Sequence, residues 1–468
     1  MEAPRKKAYI ETYGCQMNVS DSELMQGILA AQGYDAVLSP EDADVILVNT
    51  CAIRDHAEQR VFGRVGELFK LKRDRPELVI GVTGCMAQRL GPTLLEKAPY
   101  VELVMGPDAY RQLPQVLNQL RPESATSTMT PRRSLPVITG KASAVQNHGV
   151  ALLDFEPDEN YEGIRVERTS GVSAWVPVQR GCNYRCTYCI VPYTRGPEKN
   201  RDPQQLLAEV RDIAEQGIPE VVLLGQTVNS YEHGDWNFAR LLRAVARVDG
   251  IRRVRFTSPH PNDFTSDLVE VMAQEPTVCK QLHLPVQSGH NRTLKRMLRR
   301  YTVESYLEKV EQVRNAIPDI ALSTDVIVAF PGETAEEYQA TLDLMRAVRY
   351  DDAYLYKYSL RDGTPATRLP RDEFIAEDVA QQRLEQLIVL HRSIQAEINR
   401  AQVGKTVEVL VERAARTAGD MLGRTDGNKV VAFAGDDSLI GTFIDVTLTA
   451  TTGATFLGQA VQPAGIPS

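Results

Sequence analysis

Twice along this chain, short apolar runs alternate with helix-length segments, and that alternation restricts it to parallel sheets covered by helices. The first series occupies residues 8 to about 120. Ala8–Tyr13, Val45–Val48, Leu78–Val82 and Val101–Met105 read as strands, with helical patterns at Ser20–Ala31, Val61–Lys72 and Thr93–Lys97 between them. The second series starts at Val176 and ends near residue 360. Its predicted strands are Val176–Val178, Val221–Leu224, Val254–Phe256, Gln281–Leu284, Ser323–Val328 and Ala353–Tyr356. Helices are clearest at Pro203–Gln216, Val303–Ala316 and Ala335–Val348. Six βα units in this order predict a barrel or partial barrel with its chemistry at the strand C-termini.

The texture changes elsewhere. Residues 121–170 are rich in Ser, Thr, Pro and Gly without a sustained period, which reads as a linker, its Arg132–Arg133 pair a solvated charge. A charged helical segment, Phe374–Gln402, leads out of the second series. From Val403 short strands are split by turns rich in Gly, Asp and Asn, the pattern of a small β-barrel of the kind that binds single-stranded or looped RNA. The 468 residues thus divide into an α/β domain with a parallel sheet at 6–120, a linker at 121–170, a partial (β/α)6 barrel domain at 171–402 and a small β-barrel at 403–466.

Composition excludes several classes. No apolar run reaches the roughly 18 residues of a membrane span, and the opening Met1-Glu2-Ala3-Pro4-Arg5-Lys6-Lys7 lacks an export signal, so no membrane partner and a cytoplasmic location are expected. The net charge of −8 does not advertise a nucleic-acid binder. Residues 403–468 carry five basic and seven acidic side chains, a net of −2. Any RNA grip must then come from discrete residues. Arg413, Arg416, Arg424 and Lys429 lie in or beside the turns of that module, and Arg252, Arg253, Lys295, Arg296, Arg299 and Arg300 lie nearer the barrel chemistry.

Seven cysteines, an odd number in a chain read as cytoplasmic, point away from disulfides. Cys15, Cys51 and Cys85 each follow a predicted strand, in Tyr13-Gly14-Cys15, Asn49-Thr50-Cys51 and Thr83-Gly84-Cys85. That puts all three at the carboxyl edge of one parallel sheet, where open α/β folds bind ligands. A three-thiolate iron–sulfur site fits better than buried apolar thiols; zinc is the alternative, although a closed zinc site wants four protein ligands. Cys182, Cys186 and Cys189 form a C-x3-C-x2-C run directly after the first barrel strand. Three thiolates on a four-iron cube leave one iron open, as catalysis requires; a zinc knuckle would need a fourth ligand. Cys279 lies outside every motif and reads as an ordinary buried or half-buried thiol.

On these motifs the chain resembles the radical SAM methylthiotransferase family, and within it the MiaB-type branch that acts on tRNA. The resemblance spans almost the whole chain, from the three-cysteine domain through the radical SAM domain to a TRAM-like β-barrel. Gly14-Cys15-Gln16-Met17-Asn18 is similar to the first-cysteine motif of the tRNA branch, and Arg180-Gly181-Cys182 through Arg195-Gly196 to the family's radical SAM loop. Segments 225–231, 256–261, 283–289 and 325–333 also match. They imply contacts to S-adenosylmethionine or substrate from Gln226, Asn229, Ser258, Gln287, Ser288, Asp325 and Val326. The chain departs from the family at Thr227, where Asn is usual, at His290, where Ser is usual, and at Leu360-Arg361-Asp362.

The resemblance implies two 4Fe-4S clusters and S-adenosyl-L-methionine as cofactors. Cys182, Cys186 and Cys189 would hold the catalytic cluster and Cys15, Cys51 and Cys85 the sulfur-donating one. The implied reaction is methylthiolation of C2 of N6-isopentenyladenosine beside the tRNA anticodon. The alternatives are a ribosomal-protein side chain or another modified tRNA adenosine. Implied partners are the tRNA anticodon loop, a reductant such as flavodoxin or ferredoxin, and proteins supplying iron–sulfur clusters or sulfur, with the enzyme acting as a monomer.

Overall fold

The computed structural model describes residues 5–52, 55–121 and 149–461. The chain forms two compact units. The first comprises the chain up to Thr169 with Gln179–Tyr184 and Ile190–Arg201; the second comprises Ser170–Val178, Arg185–Cys189 and the chain from Asp202 onward.

The first unit is built on six parallel strands: β1 (Lys6–Thr12), β2 (Tyr34–Ala36), β3 (Val45–Thr50), β4 (Val79–Gly84), β5 (Leu103–Met105) and β6 (Val150–Leu152). Their order across the sheet is β2-β1-β3-β4-β5-β6. Every residue of β3 and β4 is buried, as in a sheet covered on both faces. Leu24 and Met25 of helix Gln16–Ala30 and Leu117 of helix Leu113–Leu120 join the core on one face. Val61 and Val65 of helix Asp55–Phe69 and Leu94 of helix Pro92–Lys97 join the core on the other.

The stretch read as linker departs from that reading. Residues 122–148, with Arg132 and Arg133, lie outside the described residues. Beyond them Val150–Leu152 pairs with β5 and closes the sheet, and Tyr161 is buried with its hydroxyl donating to Pro107 O at 2.7 Å. Three apolar residues are too short a run to stand out from a Ser/Thr/Pro-rich background. The same brevity hid β2.

The second unit holds six parallel strands in two triplets. Glu220–Leu224 lies between Ser173–Pro177 and Arg253–Phe256, and Ala321–Val328 lies between Gln281–His283 and Asp352–Lys357. A parallel bridge from Val254 to Val278 stands beside the third strand, and another joins Gln287 to Val326. Amphipathic helices separate the strands, and Thr302 and Thr334 start two of them with capping boxes. Asp202 caps another, with Pro203 in its first turn. The expected exit helix is Glu377–Arg400.

The last strands close a barrel in the order Thr406–Ala414, Asp420–Thr425, Val430–Ala434, Thr455–Ala460 and Phe443–Thr451. Val409, Val411, Met421, Phe433 and Phe456 fill it. The hairpin 424–429 docks on the amino-terminal end of the half-barrel strands. Arg253 donates to Arg424 O at 2.7 Å, and Arg255 donates to Thr425 O and Asp426 O, both at 2.8 Å. The Lys280 amide donates to Asp426 Oδ2 (2.8 Å), and Lys429 Nζ donates to Asp351 O (3.0 Å). Arg253 begins the third strand, Lys280 precedes the fourth and Asp351 precedes the sixth. The hairpin therefore floors one end and leaves the carboxyl ends to the loops.

This docking corrects the reading of several cations. Arg253 and Lys429 serve the junction, whereas Arg424 joins it only through its carbonyl, its side chain pairing with Glu412 at 3.1 Å and donating to Asn428 Oδ1 at 3.0 Å. Arg252 stacks on Phe443 (3.7 Å from the ring centre) and pairs with Glu408. Arg296 is engaged by Glu373 and Pro331 O. Arg413 and Arg416 stay exposed.

Candidate functional site

In the first unit, Cys15, Cys51 and Cys85 follow β1, β3 and β4, which are neighbours in the sheet. The residues around them explain the motifs. Gly14 has φ +136°, and a Cβ there would lie 2.6 Å from the Cys51 Cβ; Gly84 has φ +90°, and a Cβ there would lie 2.5 Å from Thr50 O. Glycine before two of the cysteines is thus what lets the three turns crowd together. Asn18, fully buried, donates to Asn49 Oδ1 and Thr50 O, both at 3.2 Å, and Asn49 returns a bond to Asn18 O at 2.8 Å. The hydroxyl of Thr50 donates to Thr83 O at 2.6 Å. These bonds tie the first cysteine turn to the second and the second to the third.

The same site holds cations that sequence reading passed over. Arg195 Nε donates to Cys85 Sγ at 3.2 Å, and its Nη2 to Asp21 Oδ2 at 2.7 Å. Arg180 Nη2 donates to the other oxygen of Asp21 at 2.8 Å and lies over the Tyr161 ring. Hydrogen bonding with Cys51 lowers the Cys15 thiol to about 6 against the opposing effect of burial, and the Arg195 charge adds to the lowering. Burial pushes the Cys85 thiol up, opposed by Arg195. The signal for Arg195 stood in Pro192-Tyr193-Thr194-Arg195-Gly196, but nothing local says that an arginine there reaches a cysteine.

Among the described residues no three His, Cys, Asp or Glu side chains converge where one ion could sit. A cubane takes its thiolates at separate irons, so its ligands need no such convergence, whereas a zinc ion would. The acidified Cys15 thiol and the guanidinium on Cys85 fit a cluster held by thiolates.

In the second unit the Cys189 amide donates to Cys186 O at 3.0 Å, and the Thr187 amide donates to Met297 O at 3.1 Å. Arg299, half-buried, places Nη1 3.5 Å from Cys186 Sγ while its Nε donates to the Tyr301 hydroxyl at 3.0 Å. In the first unit the Cys182 amide donates to Gly196 O at 3.1 Å. Cys279 is buried among core residues, which raises its thiol far from any ligand role.

The carboxyl ends of the half-barrel strands carry backbone strain. Ser258, Gln287 and Ala329 have φ of 60°, 69° and 58°, a conformation non-glycine residues rarely adopt, and each follows a different strand. Ser258 and Gln287 are two of the expected cofactor contacts. Asn229 clamps two strand ends, donating to His260 O at 2.9 Å and accepting from the His260 amide at 2.7 Å. Ser288 is buried with its hydroxyl accepting from the His290 amide, Gln226 is half-buried, and Asp325 lies 3.4 Å from His283 Nε2. The Val326 side chain is fully buried in the core, which leaves its backbone as the part that could meet a cofactor.

Residues 7–106 match the family described as Uncharacterized protein family UPF0004, residues 176–345 the Radical SAM superfamily, and residues 400–461 the TRAM domain. A tRNA-2-methylthio-N(6)-dimethylallyladenosine synthase of Carboxydothermus hydrogenoformans is 44% identical over 95% of this chain and 97% of its own. One of the same name from Chlorobium limicola is 42% identical over 99% of both. The chain belongs to the tRNA-2-methylthio-N(6)-dimethylallyladenosine synthase family. Among solved structures, TsrM of Kitasatospora setae, a radical S-adenosylmethionine methyltransferase with cobalamin and a 4Fe-4S cluster bound, aligns at a TM-score of 0.56. It is 15% identical and covers 78% of this chain and 77% of its own, a likeness of fold. OxsB, a cobalamin-dependent radical enzyme, aligns at 0.54 with 14% identity over 83% of this chain and 58% of its own.

Within the family pattern the departure at His290 has a local account. His290 starts the helix Asn291–Arg296, its ring nitrogen accepting from the Arg292 amide at 3.3 Å, the office a serine hydroxyl performs equally well. Thr227 is buried, and its carbonyl accepts from the Ser230 hydroxyl. Among the described residues no helix is long and apolar enough to cross a membrane.

Proposed function

We propose that this chain methylthiolates C2 of N6-dimethylallyladenosine next to the tRNA anticodon, using two 4Fe-4S clusters and S-adenosyl-L-methionine. The observation that carries the reading is the donor set: three cysteines on adjacent ends of one sheet, and a separate C-x3-C-x2-C loop following the first strand of a parallel half-barrel. Each set offers three thiols, so each leaves one iron of a cubane open.

When bound, the two clusters and S-adenosylmethionine supply the electron, the hydrogen-abstracting radical, the sulfur and the methyl group. The chain's own work is placement. Cys182, Cys186 and Cys189 hold one cluster; Cys15, Cys51 and Cys85 hold the other. Ser258, Gln287 and the Asn229–His260 clamp shape the strand ends where S-adenosylmethionine binds, with Gln226, Ser288 and Asp325 beside them. An unpaired anticodon-loop base can be splayed out to meet such a site. The exposed Arg413 and Arg416 of the small barrel supply phosphate contacts. A flavodoxin- or ferredoxin-type reductant and proteins that renew sulfur complete the cycle, and the enzyme works as a cytoplasmic monomer.

The test is nucleoside mass spectrometry of tRNA from cells lacking the gene. The methylthio group should vanish while N6-dimethylallyladenosine accumulates, and the wild-type chain should restore it. Normal methylthio nucleoside in the deleted strain would overturn the proposal.

A further inference from the structure

The buried charge beside Cys85 does not balance. Arg180 and Arg195 share one carboxylate, that of Asp21, and all three side chains are at most 4% exposed. The nearby cation Lys199 is matched by Asp108, so it does not compensate. One guanidinium charge is thus buried without a carboxylate, and the Nη1 atoms of both arginines lack a hydrogen-bond partner among the described residues. A buried cation left this way is unfavourable unless an anion stands close by. The sulfur of Cys85, which accepts from Arg195 Nε, and that of Cys15, which feels the Arg195 charge, are the groups placed to be that anion. Tyr110 and Tyr161, the aromatic groups packed there, carry no charge, since burial keeps both hydroxyls protonated.

We infer that Arg195, oriented by Asp21, is a positioning residue that sets the charge and the reduction potential of the cluster held by Cys15, Cys51 and Cys85. The inference rests on the functional reading above. Its physical content is that a fixed positive charge and an N–H donor at a ligand sulfur favour the more negative, reduced cluster. Arg195 does this from a closed position, since Asp21 prevents the guanidinium from swinging away. Arg180 holds the second oxygen of Asp21 and keeps that carboxylate from pairing with Arg195 alone.

The experiment uses the full chain with Cys182, Cys186 and Cys189 changed to Ala, so that only the N-terminal set can bind a cluster. Iron content and a spectroelectrochemical midpoint are measured with Arg195, Arg195→Lys, Arg195→Gln and Arg195→Met. The Met variant is expected to reduce about tenfold less at a fixed potential, a fall of ~59 mV for one electron, while Lys retains at least half of the difference. Equal midpoints in Arg, Lys and Met proteins would overturn the inference, as would equal falls in Lys and Met. Should the Met protein assemble no cluster, the Lys and Gln proteins decide: loading and potential maintained by Lys and lost by Gln support the charge role, and indistinguishable behaviour overturns it. If the parent with Arg195 binds no iron, the functional reading itself fails, a result separate from any change in potential.

Discussion

Arg255 reaches Glu220 at 2.8 Å across two neighbouring strands of the half-barrel, with only 6% and 5% of the two side chains exposed. The same guanidinium donates to the hairpin carbonyls of Thr425 and Asp426, so one residue joins the strands and docks the small barrel. Arg255→Met leaves Glu220 buried and unmatched and should destabilise the chain by about 3–5 kcal/mol. The double change Arg255→Met with Glu220→Leu should recover a large part of that loss. Urea midpoints of the two proteins check the order, and a double variant no more stable than the single would contradict it.

His260 provides a pH dependence with a definite sign. Burial, aided by the Arg299 and Arg300 charges, pushes its pKa down to about 2. The folded chain therefore stays neutral there while the unfolded chain takes up a proton below about 6.5. This contribution is whole above pH 6.5 and is lost as pH falls, by about 1 kcal/mol between 6.5 and 5.5. His260→Asn keeps a side-chain acceptor for the Asn262 amide and should flatten the acid limb of stability. An unchanged limb would show that other groups govern it.

Fully loaded protein should contain about eight irons. Alanine at 182, 186 and 189 should halve the iron and abolish 5′-deoxyadenosine release on reduction. Alanine at 15, 51 and 85 should halve it too, sparing that release but stopping methylthio product. Retention of the release by the first variant, or of product by the second, would contradict the assignment of roles.

The proposed RNA contacts divide by exposure. Arg413→Gln and Arg416→Gln should each lower the log–log salt slope of tRNA binding by roughly 0.7–0.9. Lys429→Gln should leave that slope alone and lower stability instead, because Lys429 is tied to Asp351. A salt slope that follows Lys429 and ignores Arg413 and Arg416 would reverse this division. Truncation at residue 403 is a poor probe of RNA binding, since it strips the partners from Arg253, Arg255 and the Lys280 amide.

How much of this was legible in sequence depends on range. Strands such as Val45–Thr50 and Glu220–Leu224 announce themselves because burial on both faces demands apolar runs. Val150–Leu152 did not, because its sheet partner lies beyond a polar stretch that hides three residues. The placement of Cys15, Cys51 and Cys85 after neighbouring strands was legible, since the glycine or threonine directly before each marks a strand end. Asp21, Arg180 and Arg195 were not, because their significance lies in meeting one another across more than 150 positions. Arg253 and Lys429 looked like surface cations for the same reason: a charge pattern carries no record of what will later cover it.

The docked hairpin 424–429 also governs the order of events during synthesis. Its partners Arg253, Arg255, Lys280 and Asp351 leave the ribosome more than seventy residues ahead of it. Until the hairpin arrives, a nascent half-barrel keeps an open floor lined by cations and an unpaired strand-edge amide. Domains on a growing chain generally complete themselves in order of emergence. Here the earlier one lacks part of its floor until the later is made, so on a ribosome stalled near residue 410 Arg253, Arg255 and the Lys280 amide are still without their hairpin partners.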